Sequence, residues 1–356
     1  MRRTRLRLAP RWVGCRLLLS GLLIGLLMAC APPNDDSQQR QAVAGKPTAD
    51  GDGYKSRKDL SGIKVGYCSP SLNAPFYAAL NEAVKQNAQR FGMGFVTAEG
   101  QDDIARQIAA VEDLLARNIQ VLILNPLDPE ALVPITKAAT RMGVAVFIVD
   151  SKIAPSAEYV SAIQGNNQDS GMLIGRWVVN ELGRQPLKIA LLSGAKGSPV
   201  GQERREGMLM GIARAQLTQS GSTNFRVMAQ GWGGWSNNGG LKAMEDILVA
   251  HPEVNVLLAE NDAMALGAMR AINEAGKTDA VTIVAVDGQK EAYQFIGEGK
   301  MGCTAVNSPD VLGRYVVEAA ARHLNGDKAL PKTIYTPAIL VTKENVATYY
   351  NPKAIF

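Results

Sequence analysis

The sequence predicts an α/β protein built as two similar lobes, each a doubly wound parallel sheet. Three observations predict it. Ten short apolar runs recur between residues 63 and 307, without clean alternation of polar and apolar positions; such strands are buried on both faces, as in parallel sheets covered by helices. Most of them are separated by stretches of helical periodicity, such as PFYAALNEAVKQNAQRFG and IARQIAAVEDLLARN, the connection that parallel strands require. The body from residue 59 onward is also longer than one hydrophobic core usually serves, so it divides in two.

Ahead of this body, Arg2, Arg3, Arg5, Arg7, Arg11 and Arg16 precede the apolar run from Leu17 to Met28, and no acid appears before Asp35. A basic segment followed by about twelve apolar residues reads as a secretory signal, and a membrane span needs about 20. The run closes on Leu27-Met28-Ala29-Cys30, which resembles the bacterial lipoprotein signal motif. That resemblance implies cleavage before Cys30, lipidation of Cys30, and contact with the membrane through the lipid only. Residues 1–29 are therefore expected to be a lipoprotein signal peptide. Residues 30–58, rich in Pro, Asp, Gln and Gly, are expected to be a flexible tether.

The whole chain carries 38 basic and 33 acidic side chains, but residues 1–29 hold six of the arginines and none of the acids. The remainder has 32 against 33, which lacks the basic footprint that nucleic-acid binding needs. Cys68 and Cys303 each fall inside an expected strand and read as two buried free thiols rather than a bridge.

In the first half of the body, strands are expected at IKVGY, GFVTA, VLILN, VAVFIVD and YVSAI. In the second they are expected at KIALLS, FRVMAQ, VNVLLAE, VTIVAVD and CTAVN, with the division near Gln164-Gly165. Ligands of parallel α/β sheets meet the loops at the carboxyl ends of strands. Those positions hold Ser69 and Asn73, with Phe76 and Tyr77 just behind, then Asn125, and Asp150 followed by Ser151 and Lys152. The second half adds Ser193, Trp235, Asn261, Asp287 and Asn307. Carboxylates accept from adjacent hydroxyls, amides donate and accept, a guanidinium donates in a fork, and aromatic faces cover the C–H face of a ring. Asp150, Asp287 and Arg204 would be the charged partners and Phe76, Tyr77 and Trp235 the walls for a neutral, polyhydroxylated ligand.

An enzyme is disfavoured. The two histidines, His251 and His323, have no triad-like company, and neither a nucleophile elbow nor zinc-ligand spacing occurs. The SGAKGSPVG loop lacks the Gly-Lys-Ser/Thr order of a phosphate loop. No cofactor and no metal is expected.

From about Ile63 to Val341 the chain resembles the ribose-binding-protein family of periplasmic sugar-binding proteins. The motifs carrying the resemblance are SLNAPFY, LILNPLDPEAL, VAVFIVDS, QERREG, LLAENDAMALGAMRAI, IVAVDG and NSPDVLG, in that order. The resemblance implies the type I periplasmic binding protein fold, with three chain crossings between the lobes and hinge closure over a sugar. It divides the body into residues 59–163 plus 308–336 as the N-terminal lobe and 164–307 plus 337–356 as the C-terminal lobe. Its cleft residues fall on Asn73, Phe76, Tyr77, Asn125, Asp150, Arg204, Trp235, Asn261, Asp287 and Asn307. It favours Arg204 over Arg205, which is left on a solvated face, and Trp235 over Trp232. Asn261 would hydrogen-bond the ligand while Asp262 caps the following helix.

Ala74, Ser151, Val286 and Asn307 stand where ribose binders carry Asn, Arg, an aromatic and Gln. Contacts that select ribose are thus lost or shortened, and the implied ligand widens to a sugar, polyol or cyclitol. The implied partners are an ABC permease and its ATPase, for a monomeric protein in the bacterial periplasm. The alternative is an envelope protein presenting a sugar, or a small amine caged by Trp232 and Trp235, to a sensor kinase or chemoreceptor.

Overall fold

The computed structural model describes residues 54–356. Cys30, the expected signal peptide and most of the expected tether lie outside them. The first lobe runs β1 (Lys64–Ser69), α1 (Pro75–Arg90), β2 (Gly94–Glu99), α2 (Ile104–Ala116), β3 (Val121–Leu124), α3 (Val133–Arg141), β4 (Ala145–Val149) and β5 (Ser161–Gly165). The second runs α4 (Asn167–Leu182), β6 (Leu187–Ser193), α5 (Pro199–Ser220), β7 (Phe225–Trp232), α6 (Asn237–Ala250), β8 (Val256–Ala259), α7 (Asp262–Glu274), β9 (Thr282–Asp287), α8 (Lys290–Gly297) and β10 (Cys303–Val306). The chain then returns through α9 (Pro309–Leu324) and β11 (Thr333–Thr336), and crosses again to β12 (Leu340–Val341) and α10 (Val346–Tyr349).

Each lobe holds one six-stranded sheet. The first has the order β11-β5-β4-β3-β1-β2, parallel throughout. The second has the order β12-β10-β9-β8-β6-β7, parallel except for the antiparallel edge pair of β10 and β12. Leaving out the late edge strands, the two orders are the same, and the strand order reverses beside β1 and beside β6. Crevices at such switch points are where open α/β sheets bind ligands.

The central strands are apolar on both faces because both are covered. In β3, Val121 and Ile123 join the core under α1 and α9, while Leu122 and Leu124 join the core under α2 and α3. The second sheet is sandwiched in the same way. All ten expected strands form; β11 and β12 were not expected. Sheet membership carries the first lobe through Gly165, two residues past the sequence-based boundary. Cys68 on β1 and Cys303 on β10 are buried, free, and in different sheets.

Candidate functional site

A cleft between the lobes has about 710 Å³ of unfilled space, open solvent at its mouth included. Phe76, Tyr77, Asp150, Arg204, Trp235, Asn261, Asp287 and Asn307 all line it. Asn73 and Asn125 do not. Asn73 is exposed near the end of the β1–α1 loop. Asn125 is fully buried one layer behind the cleft, where Nδ2 donates to Asp150 Oδ2 at 3.1 Å and Oδ1 accepts from the Ser151 N–H at 3.3 Å. It holds Asp150 rather than facing the cavity.

Three lining residues have strained backbones. Among the described residues six non-glycines adopt positive φ, and Asp150 (63°), Trp235 (61°) and Asp287 (136°) are three of them. Each such residue costs about 1–3 kcal/mol and persists where the surroundings enforce it, a habit of ligand sites. For Asp150 the enforcing contacts are Asn125 and a backbone hydrogen bond from its own N–H to Ile163 O, 2.8 Å. For Trp235 they include a glycine floor. A Cβ on Gly194 would stand 2.0 Å from the indole Cε2, so only glycine lets the ring lie there.

Arg204 is buried and central. Its Nε donates to Asn167 Oδ1 at 2.9 Å, Nη1 donates to Glu260 O at 2.7 Å, and Nη1 pairs with Asp287 Oδ1 at 2.9 Å. Its position follows from a backbone-close helix pair. A Cβ on Gly171 of α4 would lie 2.4 Å from Arg204 O, and one on Gly207 of α5 would lie 2.3 Å from Gln168 O. The neighbouring Arg205 is not on a solvated face. Its Nη1 contacts Ser193 Oγ and is ion-paired with Glu260 Oε1, because Glu260 is buried at the end of β8 and needs a cation. Glu260 Oε2 also accepts from the Gly194 N–H at 2.8 Å, which fixes the floor beneath Trp235.

The β8–α7 junction divides its work differently from the sequence expectation. Asn261, with extended φ and ψ, is the N-cap. Its Oδ1 accepts from the Met264 N–H at 3.0 Å, and Nδ2 donates to Trp235 O at 3.2 Å. Asp262 does not cap α7, since it is already the first helical residue and a cap must precede the helix. It is fully buried, and Oδ2 accepts from the N–H groups of Gly288 and Gln289, both at 2.7 Å, while Oδ1 accepts from Thr304 Oγ1 at 2.7 Å. Asp262 thus ties the loop that follows Asp287 at the end of β9 to β10. Each polar atom of the Asn261 amide keeps capacity for one further bond.

Burial dominates the electrostatics. It pushes the Asp287 carboxyl up to about 6, opposed by Arg204 and reinforced by Asp150. It also raises Asp150, opposed by Arg204 and then by the amides of Asn125 and Asn307. Burial and then the charge of Asp287 push Asp262 up to about 8.

Among the described residues, four buried side-chain polar atoms have no hydrogen-bond partner within the protein, and three belong to cleft-lining residues: Asp287 Oδ1, Gln289 Oε1 and Asn307 Oδ1. For Asp287 Oδ1 the Arg204 contact is a close charge pair without a well-directed N–H bond. The Gln289 amide is oriented by Nε2 donating to Glu291 Oε2 at 2.9 Å, which turns Oε1 the other way. All three atoms are acceptors, and a buried acceptor without a donor is costly. Sequence reasoning missed Gln289, which lies two residues past a strand end, and Phe356.

The tryptophan pair is not one cage. Trp232 is 39% exposed and does not line the cleft. Each ring already has a protein cation near it: Arg204 lies 6.0 Å from the Trp235 centroid, and Lys196 and Arg205 lie 5.7 and 6.0 Å from that of Trp232. The residues present form no cluster of three or more metal-ligating side chains among the described residues.

Residues 65–328 match the family model described as a periplasmic binding protein domain. The chain is similar to the ribose import binding protein RbsB of Escherichia coli (strain K12), at 32% identity over 262 residues, covering 74% of this chain and 85% of that protein. It is also similar to a solved ABC transporter solute binding protein from Mycobacterium smegmatis with bound glycerol, with TM-score 0.75 and 32% identity, covering 82% of this chain and 98% of that one. A third relative is the periplasmic component of the arabinose ABC transporter from Shewanella sp. ANA-3, bound to α- and β-L-arabinofuranose. Its TM-score is 0.74 and its identity 27%, covering 80% of this chain and 94% of that one.

Proposed function

The chain belongs to the periplasmic binding protein family, a family of non-enzymatic solute binders, and from that premise we propose that it captures a sugar or polyol between its lobes for an ABC importer. The observation that carries this reading is three buried acceptor oxygens without a hydrogen-bond partner in the protein, on Asp287, Gln289 and Asn307, residues that line one cavity together with the Asp150 carboxylate. A ligand rich in donors satisfies them, and a polyol has one O–H per carbon to give. The aromatic rings of Phe76, Tyr77 and Trp235 suit the C–H face of such a ligand. The three relatives named above carry ribose, glycerol and arabinofuranose in their names or titles, all small and polyhydroxylated.

Asp150 comes from the first lobe, and Arg204, Trp235, Asp287 and Gln289 from the second. A ligand touching both sets binds the closed form better than the open one, so binding shifts the population toward closure. Lys152 of the first lobe is already ion-paired with Glu203 of the second, which supports the closed arrangement. Residues 1–29 are read as a lipoprotein signal and Cys30 as the acylated anchor of a monomeric protein on the periplasmic side. Among the described residues, no helix is long and apolar enough to cross a membrane. Replacing Cys30 by Ser should move the protein from the membrane fraction to the soluble one.

The test of the binding function is a thermal-shift screen against pentoses, hexoses, polyols, inositols and small amines. A ligand that binds only the folded state raises the melting temperature. A shift confined to one sugar or polyol class is expected, and a shift confined to amines would overturn the reading.

A further inference from the structure

The family match ends at residue 328, yet the cleft includes a side chain from much later in the chain. We propose that Phe356 is an additional aromatic wall of the ligand site, delivered by the segment after α10. The inference rests on the sugar or polyol reading above. The segment is anchored on the second lobe. Val346 of α10 is buried in that lobe's core, the Tyr349 ring sits 6.2 Å from that of Tyr293, and Lys290 Nζ donates to Ala354 O at 3.0 Å. Lys290 opens α8 directly after cleft-lining Gln289, so the segment is pinned beside the site.

From there the chain reaches the other lobe. Phe356 packs against the first lobe's core, with its ring edge-on to Phe76 at 5.7 Å and 84°. Phe76 in turn meets Tyr77 edge-on at 5.9 Å. Three rings from two distant parts of the sequence are thus in contact along the cavity lining. The neighbouring Ile355 is 71% exposed, so the segment turns its aromatic inward and leaves the aliphatic residue in water.

A ring face is selective for C–H-rich ligand surfaces in a way that an aliphatic side chain is not. The deciding experiment is calorimetric titration of the full chain and of its Phe356→Ala, Phe356→Leu and Phe356→Tyr variants with the sugar or polyol that gives the largest thermal shift. Binding should weaken about tenfold in Phe356→Ala and severalfold in Phe356→Leu, and should persist in Phe356→Tyr, with the unliganded melting temperature lowered in Phe356→Ala and close to wild type in the other two. Phe356→Leu keeps the apolar bulk, so it separates loss of the ring from a segment that comes loose. Equal affinity in all four proteins overturns the wall and leaves the sugar reading standing. Tighter binding by Phe356→Ala overturns it too, since the ring would then be a plug. A wild-type chain that binds no sugar or polyol overturns both, because there is then no ligand for the ring to face.

Discussion

Replacing Asp287 by Asn should improve the folded stability of the unliganded protein and damage its affinity. The carboxyl is buried, 4% exposed, and its pKa is raised from 3.8 to about 6 even with Arg204 beside it. An acid whose folded pKa is raised binds more protons folded than unfolded. Its contribution therefore opposes folding as pH rises between about 4 and about 6, and the opposition is complete above that. The gap from 3.8 to about 6 amounts to about 3 kcal/mol at neutral pH. Asn removes that cost while its amide oxygen keeps a partial negative charge beside the Arg204 guanidinium. The guanidinium keeps Asp150 as counter-charge and its bonds to Asn167 and Glu260, so part of the ion pair's worth is retained. The net gain is about 1–3 kcal/mol at pH 7.5 and close to zero at pH 4.

Affinity runs the other way. A ligand hydroxyl donating to the ionised carboxylate is worth about 1.5–3 kcal/mol, so Asp287→Asn should weaken binding about 10- to 150-fold. Wild-type affinity should also fall as pH drops below about 6, because the protonated carboxyl is a poorer acceptor, and the variant should lose that dependence. Urea denaturation without ligand at pH 4 and 7.5, with titrations across the same range, reads both effects. A variant destabilised equally at the two pH values, with affinity within twofold of wild type, would refute the reasoning.

Arg204→Met should destabilise the unliganded protein by about 3–5 kcal/mol at pH 7.5. The deficit should shrink at pH 5, since Asp150 and Asp287 lose their cation and relieve themselves by taking up protons; denaturant midpoints at the two pH values decide it. Gly194→Ala places a methyl where the indole of Trp235 lies. It should shift the tryptophan emission and weaken binding at least about tenfold, at a stability cost of about 1–3 kcal/mol. Trp232→Ala, by contrast, should leave affinity within about twofold, because that ring is outside the cleft; a large loss would return the second tryptophan to the site.

The fold was legible because its determinants are periodic. Apolar runs such as VLIL and VAVFIV, too short for helices and rich in β-branched residues, read as strands covered on both faces, and their carboxyl ends told where Asp150, Asn261 and Asp287 would emerge. β11 and β12 escaped because they are short edge strands, half-buried, with no long apolar run. Within the site, the limit was depth. Asn125 and Asp150 occupy the same position relative to their strands, yet one carries the cavity surface and the other stands behind it. Strand-end position gives the direction in which a side chain leaves the sheet, not how many layers lie between it and the ligand. Asn261 and Asp262 show the same ambiguity one residue apart. Both are good caps by composition, and the choice was made by Gly288, Gln289 and Thr304, whose donors converge on Asp262 from 26 to 42 residues away. Phe356 is the extreme case. A single aromatic after a short helix has no period and no neighbour in sequence to announce it. Its role depends on a contact with Phe76, 280 positions earlier, that exists only once both lobes have folded and met.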